Sequence, residues 1–271
     1  MNFKVEIYNK LKKRKEYFMK IGYRTAGLKD MKWKESFSIL NEIGYNFVEI
    51  CLEESEVLKG EKDKVEEVKS LLKENNLKAS ISYHGDKVPL AKKIENTYKA
   101  IDFAGKLSVD TVIINSETVE PGKEKEQFRD LVSRYQNFCK YAGEKNIKLA
   151  VEPEPDLVIH GLKETLQLLE EVNSPYLGVN LDIGHAYITD NDLNKVINEL
   201  QDSLIYTHLE DISGKVHQHL LPGEGDINFE ELIKSLEDIE YEGPLVFDLF
   251  GMEENQIEYA KKAYSYINTI I

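Results

Sequence analysis

The sequence contains few of the features that identify membrane, secreted or disulfide-rich proteins. Only Cys51 and Cys139 are cysteines among 271 residues, and they match no metal-binding or redox spacing. No apolar run approaches the about 18 residues needed to cross a bilayer. The first residues also lack the charged, apolar and small-residue series of a signal peptide. We therefore expect a cytoplasmic protein in a reducing compartment, with no membrane partner and with a core large enough to do without disulfides.

Excess positive charge is also missing, since the formal net charge is −14. Binding nucleic acid irrespective of its sequence needs Lys and Arg to neutralise phosphates, so a nucleic-acid partner is disfavoured. Residues 1–18 are an exception, with six basic residues against Glu6 and Glu16. We interpret them as a basic extension, either a solvated helix, a disordered arm or a surface-binding arm. No Pro/Gly/Ser-rich linker divides residues 19–271, which favours a single domain there.

The phosphate-binding fingerprints of open nucleotide-binding sheets are absent, because no GxGxxG follows the first strand and no GxxxxGK[ST] occurs. Short β-branched or aromatic runs instead alternate with amphipathic, Lys/Glu-rich stretches of helical period. Strands are predicted to begin near Met19, Asn46, Lys78, Thr111, Ile147, Leu177, Ser203 and Pro244. Eight strand–helix units within about 250 residues predict an α/β fold, a (β/α)8 TIM barrel, over an open doubly wound sheet.

Polar residues gather at the predicted carboxyl ends of these strands, where barrel active sites are built. The strand-end residues are His84, Glu152, Asp182, His208 and Asp248. Every histidine except one, His160, falls at this predicted mouth, which indicates a site.

A divalent metal centre is the function that Glu152, Asp182, His208 and Asp248 indicate together. Three carboxylates and one imidazole suit Mn²⁺, Mg²⁺, Co²⁺ or Zn²⁺. Any one of them could be structural, as a helix-capping carboxylate or a core histidine. All four being structural is disfavoured, because unpaired carboxylates crowded at one mouth repel one another.

A second cluster is predicted from His185, His217 and His219. Side chains alternate along an extended segment, so both rings of the HxH pair face the same side. Three interpretations stay open. The histidines could bind a second, zinc-like ion, they could contact substrate hydroxyls or phosphate, or they could line the loop without a function. Three further polar residues are candidates for substrate binding: His84, Asn115 and Lys215.

The loop after the seventh strand also brings Glu210 and Asp211 to the mouth. Its PGEG sequence, residues 222–225, supplies a turn. This turn either contacts substrate through its backbone, supports the His219 loop, or is an ordinary turn before the next helix.

Several motifs together resemble the xylose isomerase-like TIM-barrel superfamily, which includes sugar (phosphate) isomerases and epimerases and endonuclease IV. They are VEPEP with Glu152, LDIGHA with Asp182 and His185, THLED with His208, HQHLLPGEGDI, and the strand-eight Asp248. The resemblance covers about residues 19–271. It implies that Glu152, Asp182, His208 and Asp248 hold the shared catalytic metal.

The sequence departs from both branches of this superfamily. Ketose epimerases usually have glutamate where Asp248 stands, and that glutamate doubles as an acid/base. Enzymes resembling endonuclease IV use two histidines for an additional zinc, and here His84 is accompanied by Asn115. His185, His217 and His219 resemble the ligands of a separate zinc, with His217 where aspartate is usual.

These observations predict a metal-dependent isomerase or epimerase for a small sugar, polyol or related carbonyl compound. Glu152 is expected to move the proton next to a carbonyl that the metal polarises, with Asp248 on the other face. The alternatives are a zinc-dependent phosphoester hydrolase of the endonuclease IV type, a polyol dehydratase, and a binding barrel without catalysis. An exposed apolar face on a barrel helix would allow a homo-oligomer.

Overall fold

The eight predicted strands form a closed barrel in which every neighbouring pair is parallel, including the first and the last. The computed structural model describes residues 20–53, 55–59, 64–190, 192–250 and 255–271. Met19 and the predicted extension over residues 1–18 lie outside this part. The strands are β1 (Ile21–Arg24), β2 (Phe47–Cys51), β3 (Lys78–Ser82), β4 (Thr111–Asn115), β5 (Lys148–Glu152), β6 (Leu177–Asp182), β7 (Leu204–Leu209) and β8 (Leu245–Phe247). The barrel prediction is confirmed.

Helices surround the barrel, as the amphipathic stretches of helical period between the strands predict. Described helices are α1 (Trp33–Ile43), α2 (Glu56–Lys59), α3 (Val65–Glu74), α4 (Leu90–Leu107), α5 (Glu124–Gly143), α6 (Leu162–Val172), α7 (Ile183–Thr189), α8 (Leu193–Leu200), α9 (Phe229–Asp238) and α10 (Gln256–Ile267), with a 3₁₀ turn at Thr25–Leu28. In the described part of the chain, none of them has the length and apolar character needed to cross a membrane.

The interior of the barrel has an apolar layer directly beneath the polar mouth. This layer is a small cluster separate from the main core, and its buried members are Phe47, Ile113, Ala150, Tyr206 and Val246. Side chains alternate between the two faces of a strand, so the residue two positions further on faces the interior as well. Those residues are Glu49, Asn115, Glu152, His208 and Asp248. In these five strands, the alternation therefore places an apolar residue below and a polar one at the mouth.

The loop between β7 and α9 is organised by the buried carboxylate of Asp211. Its Oδ2 accepts hydrogen bonds from the backbone N–H groups of Gly223 and Gly225, both at 2.8 Å. Its Oδ1 accepts from the N–H groups of Ile212 at 2.9 Å and Ile227 at 3.1 Å. A Cβ on Gly225 would lie 2.3 Å from Oδ1, so only glycine fits there. The PGEG turn thus supports the loop that carries His217 and His219.

We expect D211N to destabilise the protein by about 2–4 kcal/mol, because an amide nitrogen replaces one carboxylate oxygen that accepts two of these bonds. The free energy of unfolding in urea measures this loss. D226N is the matched control, since Asp226 is an exposed residue of the same loop that accepts one hydrogen bond, from Gly214. Equal stabilities for the two variants would contradict an organising role for Asp211.

Candidate metal centre at the barrel mouth

Four side chains predicted to bind metal converge at the carboxyl end of the barrel. Glu152, Asp182, His208 and Asp248 each offer a ligand atom, and these atoms all lie within 4.8 Å of one another. Each residue is at most 1% exposed. Glu152 and Asp182 end β5 and β6, His208 lies in β7, and Asp248 directly follows β8. Closure of the barrel is what brings these four strand ends together.

The ring of His208 is oriented with one nitrogen toward the carboxylates. Its Nδ1 lies 3.2 Å from Glu152 Oε2, 3.7 Å from Asp248 Oδ2 and 3.8 Å from Asp182 Oδ2. Its Nε2 lies 2.6 Å from Glu49 Oε2. Histidines that bind metals commonly donate their other N–H to a carboxylate, which fixes the tautomer and the ring. His208 therefore has the surroundings of a ligand that would bind through Nδ1.

The residues present fit a divalent cation. Asp182 Oδ2 and Asp248 Oδ1 are buried and have no hydrogen-bond partner within the described chain. Buried carboxylate oxygens without partners are costly unless a cation or a donor faces them. A set of three carboxylates and one imidazole matches the preferences of Mn²⁺, Mg²⁺, Co²⁺ and Zn²⁺.

Arg24 and Glu49 belong to the site, although neither is in the set predicted to bind metal. Arg24 Nη1 lies 2.6 Å from Asp248 Oδ2, and its Nε lies 3.0 Å from Glu49 Oε1. Burial raises the pKa of Asp248, but Arg24 and His208 outweigh this and lower it overall. A single charged residue within the apolar β2 sequence FVEIC was the signal for Glu49. Arg24 ends β1, where a lone basic residue indicates either a contact with an anionic substrate group or a salt bridge, and the structure pairs it with Glu49 and Asp248.

Glu152 is held by three neighbours. Its Oε2 accepts a hydrogen bond from Asn180 Nδ2 at 2.7 Å and lies 3.3 Å from His84 Nε2. Burial raises the pKa of Glu152, but His208 and His84 reverse that effect and hold it well below its ordinary value. Burial likewise opposes protonation of His84, yet Glu152 raises the pKa of His84 to about 9. Glu152 is therefore a carboxylate, and His84 lies beside it at the mouth.

The second predicted cluster also assembles, next to the first. His185 Nε2 lies 3.0 Å from His217 Nε2, and the His217 and His219 ring centroids are 5.3 Å apart. Glu210, named in the mouth loop without a predicted role, contacts His219 Nδ1. A Cβ on Gly184 would lie 2.0 Å from Glu210 Oε1, so glycine is what leaves room for this carboxylate. Burial raises the pKa of Glu210 well above its ordinary value, and Asp182 and Asp248 add to the increase.

The other two candidates for substrate binding have hydrogen-bond partners outside the four residues of the centre. Asn115 is buried at the end of β4, where its amide contacts Lys93, Asp86 and Glu154. Lys215 is exposed at the rim, where it donates to the Asp190 carbonyl at 3.3 Å. Their binding roles stay predictions.

Comparison with known proteins identifies the family. A family model described as a xylose isomerase-like TIM barrel matches residues 37–270. The chain is 30% identical to L-ribulose 3-epimerase of Methylomonas sp. (strain DH-1) over 227 residues, 78% of this chain and 76% of that protein. It is 24% identical to inosose dehydratase of Bacillus velezensis over 211 residues, 66% of this chain and 71% of that protein.

Among solved structures, D-allulose 3-epimerase from Methylomonas sp., in complex with D-allulose, superposes with a TM-score of 0.76 at 23% identity. The match covers 93% of this chain and 97% of that one, and at this identity it shows the shared fold. The family model spans most of the sequence and includes the motifs at the strand ends from Glu152 to Asp248. The chain belongs to the xylose isomerase-like TIM-barrel family.

Proposed function

We propose that this protein is a divalent-metal-dependent isomerase or epimerase that transfers a proton next to a carbonyl of a small sugar or polyol. The observation that carries this proposal is the convergence of three buried carboxylates on His208 Nδ1 at the mouth of the barrel. Similarity to L-ribulose 3-epimerase over most of the chain supports the same reaction class.

Glu152, Asp182, His208 and Asp248 would hold the metal. When bound, a divalent cation polarises the substrate carbonyl and stabilises negative charge that develops on its oxygen. Glu49 fixes the His208 ring through its contact with Nε2.

Glu152 is the proposed base. Asn180 and His208 both contact its Oε2, whereas Oε1 faces His185 Nδ1 at 3.7 Å. Oε1 is therefore the atom that would accept the proton from the carbon next to the carbonyl. His185 Nδ1 also lies 3.1 Å from the carbonyl oxygen of Pro153, which holds the ring at the edge of this site. His185 would orient a substrate oxygen.

Asp248 is the candidate acid/base on the other face. Arg24 Nη1 donates a hydrogen bond to its Oδ2 at 2.6 Å, so this oxygen is less available to exchange a proton with substrate. This contact favours dehydration of a polyol as the second candidate function, because elimination needs one base to remove the proton. The similarity to inosose dehydratase agrees with that alternative.

Phosphoester hydrolysis receives less support. The additional zinc of enzymes resembling endonuclease IV would need His84 and a partner at Asn115. Within the described residues, no group of three possible ligands includes His84, whose Nδ1 instead lies 3.2 Å from Arg24 Nη2. The cluster of His185, His217 and His219 stays open between a second zinc and a substrate contact.

Metal analysis tests the centre directly. Protein purified without chelators is expected to carry about one manganese, cobalt, magnesium or zinc ion per chain. E49Q should weaken metal binding about 10- to 100-fold in a competition titration with a chelator, because an amide is a poorer acceptor for the His208 N–H. E56Q, at an exposed glutamate, is the control and should leave affinity unchanged. Two zinc ions per chain would move the assignment to a hydrolase.

Exchange of solvent deuterium into ketoses tests the proposed base. At saturating metal, E152Q should lower the exchange rate about 100- to 10,000-fold, the contribution typical of a positioned general base. D248N, also at saturating metal, separates the two candidate reactions. A two-base epimerase should keep exchange through Glu152 but lose formation of the epimer, whereas a single-base dehydratase should keep both exchange and product formation. Full exchange by E152Q with full metal occupancy would contradict the proposed role of Glu152.

A further inference from the structure

Glu154 lies two residues beyond Glu152, at a point where two loops of the mouth are fastened together. Thr118 of the loop after β4 forms an antiparallel bridge with Leu157 of the loop after β5. The Glu154 N–H donates to the Ile159 carbonyl at 3.1 Å, which closes a turn inside the second loop. The backbone of Glu154 is therefore fixed relative to β4 and β5.

The carboxylate of Glu154 is oriented by a buried pair of side chains. Asn115 Nδ2 donates to Glu154 Oε2 at 3.1 Å and to Asp86 Oδ1 at 3.0 Å. Lys93 Nζ donates to Asn115 Oδ1 at 2.7 Å and to the Ser116 carbonyl at 2.8 Å. An ammonium can only donate, so it selects the amide oxygen and turns the amide nitrogen toward Glu154. Lys93 and Asn115 are buried, which keeps this orientation fixed.

Glu154 itself is half-buried and stands at the outer side of the metal centre. One of its carboxylate oxygens lies within 4.8 Å of a ring nitrogen of His185 and of His217. His185 in turn lies 3.7 Å from Glu152 Oε1. A substrate whose reacting carbons lie at Glu152 would therefore extend past His185 toward Glu154.

Among the residues that the structure describes, no lysine or arginine forms an ion pair with Glu154, and the carboxylate nearest to Lys93 Nζ is Asp86, at 3.7 Å. Lys93 donates to Asn115 and Ser116, and Arg24 is engaged by Glu49 and Asp248. A carboxylate has about four lone-pair positions, and Asn115 occupies one of them. The remaining lone pairs of Glu154 can accept hydrogen bonds from substrate hydroxyl groups. The negative charge of the carboxylate would repel an anion such as phosphate.

We propose that Glu154 binds a hydroxyl group at the end of the substrate remote from the reacting carbons, and that it selects free sugars over their terminal phosphates. This inference rests on the proposed function and names its substrate class as a neutral, polyhydroxylated carbonyl compound. Glu154 is then a specificity-determining residue, and Asn115 and Lys93 are positioning residues that act through it.

The test compares ketopentoses and ketohexoses with their terminal phosphates, as matched pairs, on the metal-loaded protein. Both kcat/KM for solvent-deuterium exchange and equilibrium binding are measured. The unaltered protein should prefer the free sugar. E154Q should lower kcat/KM for free sugars about 10- to 100-fold, as expected for loss of a hydrogen bond to a charged group. It should also reduce the preference over phosphates at least tenfold, because an amide does not repel phosphate.

D156N is the matched control, since Asp156 is an exposed carboxylate two residues away in the same loop. It should leave both measurements within twofold of the unaltered protein. The inference is overturned if E154Q and D156N behave alike, or if the unaltered protein prefers the phosphates. A sugar preference in binding that depends on Glu154, without any exchange, would instead retain this inference and refute the proposed function.

The positioning role of Lys93 has its own readout. K93M should raise KM for free sugars about tenfold while kcat stays within twofold, because Glu154 loses its orientation and the metal centre is untouched. K93R should recover part of the loss, since a guanidinium also donates to the Asn115 oxygen. An equal fall in kcat, or no rescue by arginine, would show that Lys93 has only a structural role.

Discussion

Buried negative charge at the mouth of the barrel is the constraint on which the rest of the site depends. Glu49, Glu152, Asp182 and Asp248 are all removed from water. Burying carboxylates is costly unless cations or hydrogen-bond donors face them. Arg24 provides one permanent charge, shared between Glu49 and Asp248. His84, whose pKa is raised to about 9, faces Glu152, whereas Asp182 Oδ2 and Asp248 Oδ1 have no hydrogen-bond partner among the described residues. These two oxygens are the physical reason why the site fits a divalent cation.

The barrel satisfies this constraint through the alternation of side chains along its strands. An apolar interior layer, exemplified by Ala150 and Tyr206, lies directly below Glu152 and His208. The apolar layer excludes water from beneath the site, which strengthens every electrostatic contact above it. The same alternation of side chains along each strand therefore supplies both the apolar layer and the polar residues of the site. The loop after β7 is ordered in another way. There the buried carboxylate of Asp211 accepts hydrogen bonds from backbone N–H groups.

The sequence could indicate which residues gather at the barrel mouth because its signals are local, while their role as metal ligands stays a prediction. The strands that form the centre each carry a polar residue at or next to their carboxyl end, and parallel strands in a barrel bring these ends to one mouth. Asp182 and His208 could therefore be placed there without knowing any contact. The same reasoning reached the cluster of His185, His217 and His219, which the structure brings together. It could not give their roles, because a ring nitrogen that faces a hydroxyl and one that faces an ion occupy the same position in a sequence.

The sequence by itself determined the eight strand–helix units, the barrel and the four residues at its centre, since these follow from hydrophobic period and from strand ends. Only the tertiary structure decided which residues neutralise and orient that centre. Arg24 meets Asp248 because barrel closure places β1 beside β8. Glu49 reaches His208 across the interior, and Lys93 turns Asn115 toward Glu154 from a surrounding helix. These contacts join residues far apart in the chain, and no local pattern specifies which partners the closed barrel brings within hydrogen-bond distance.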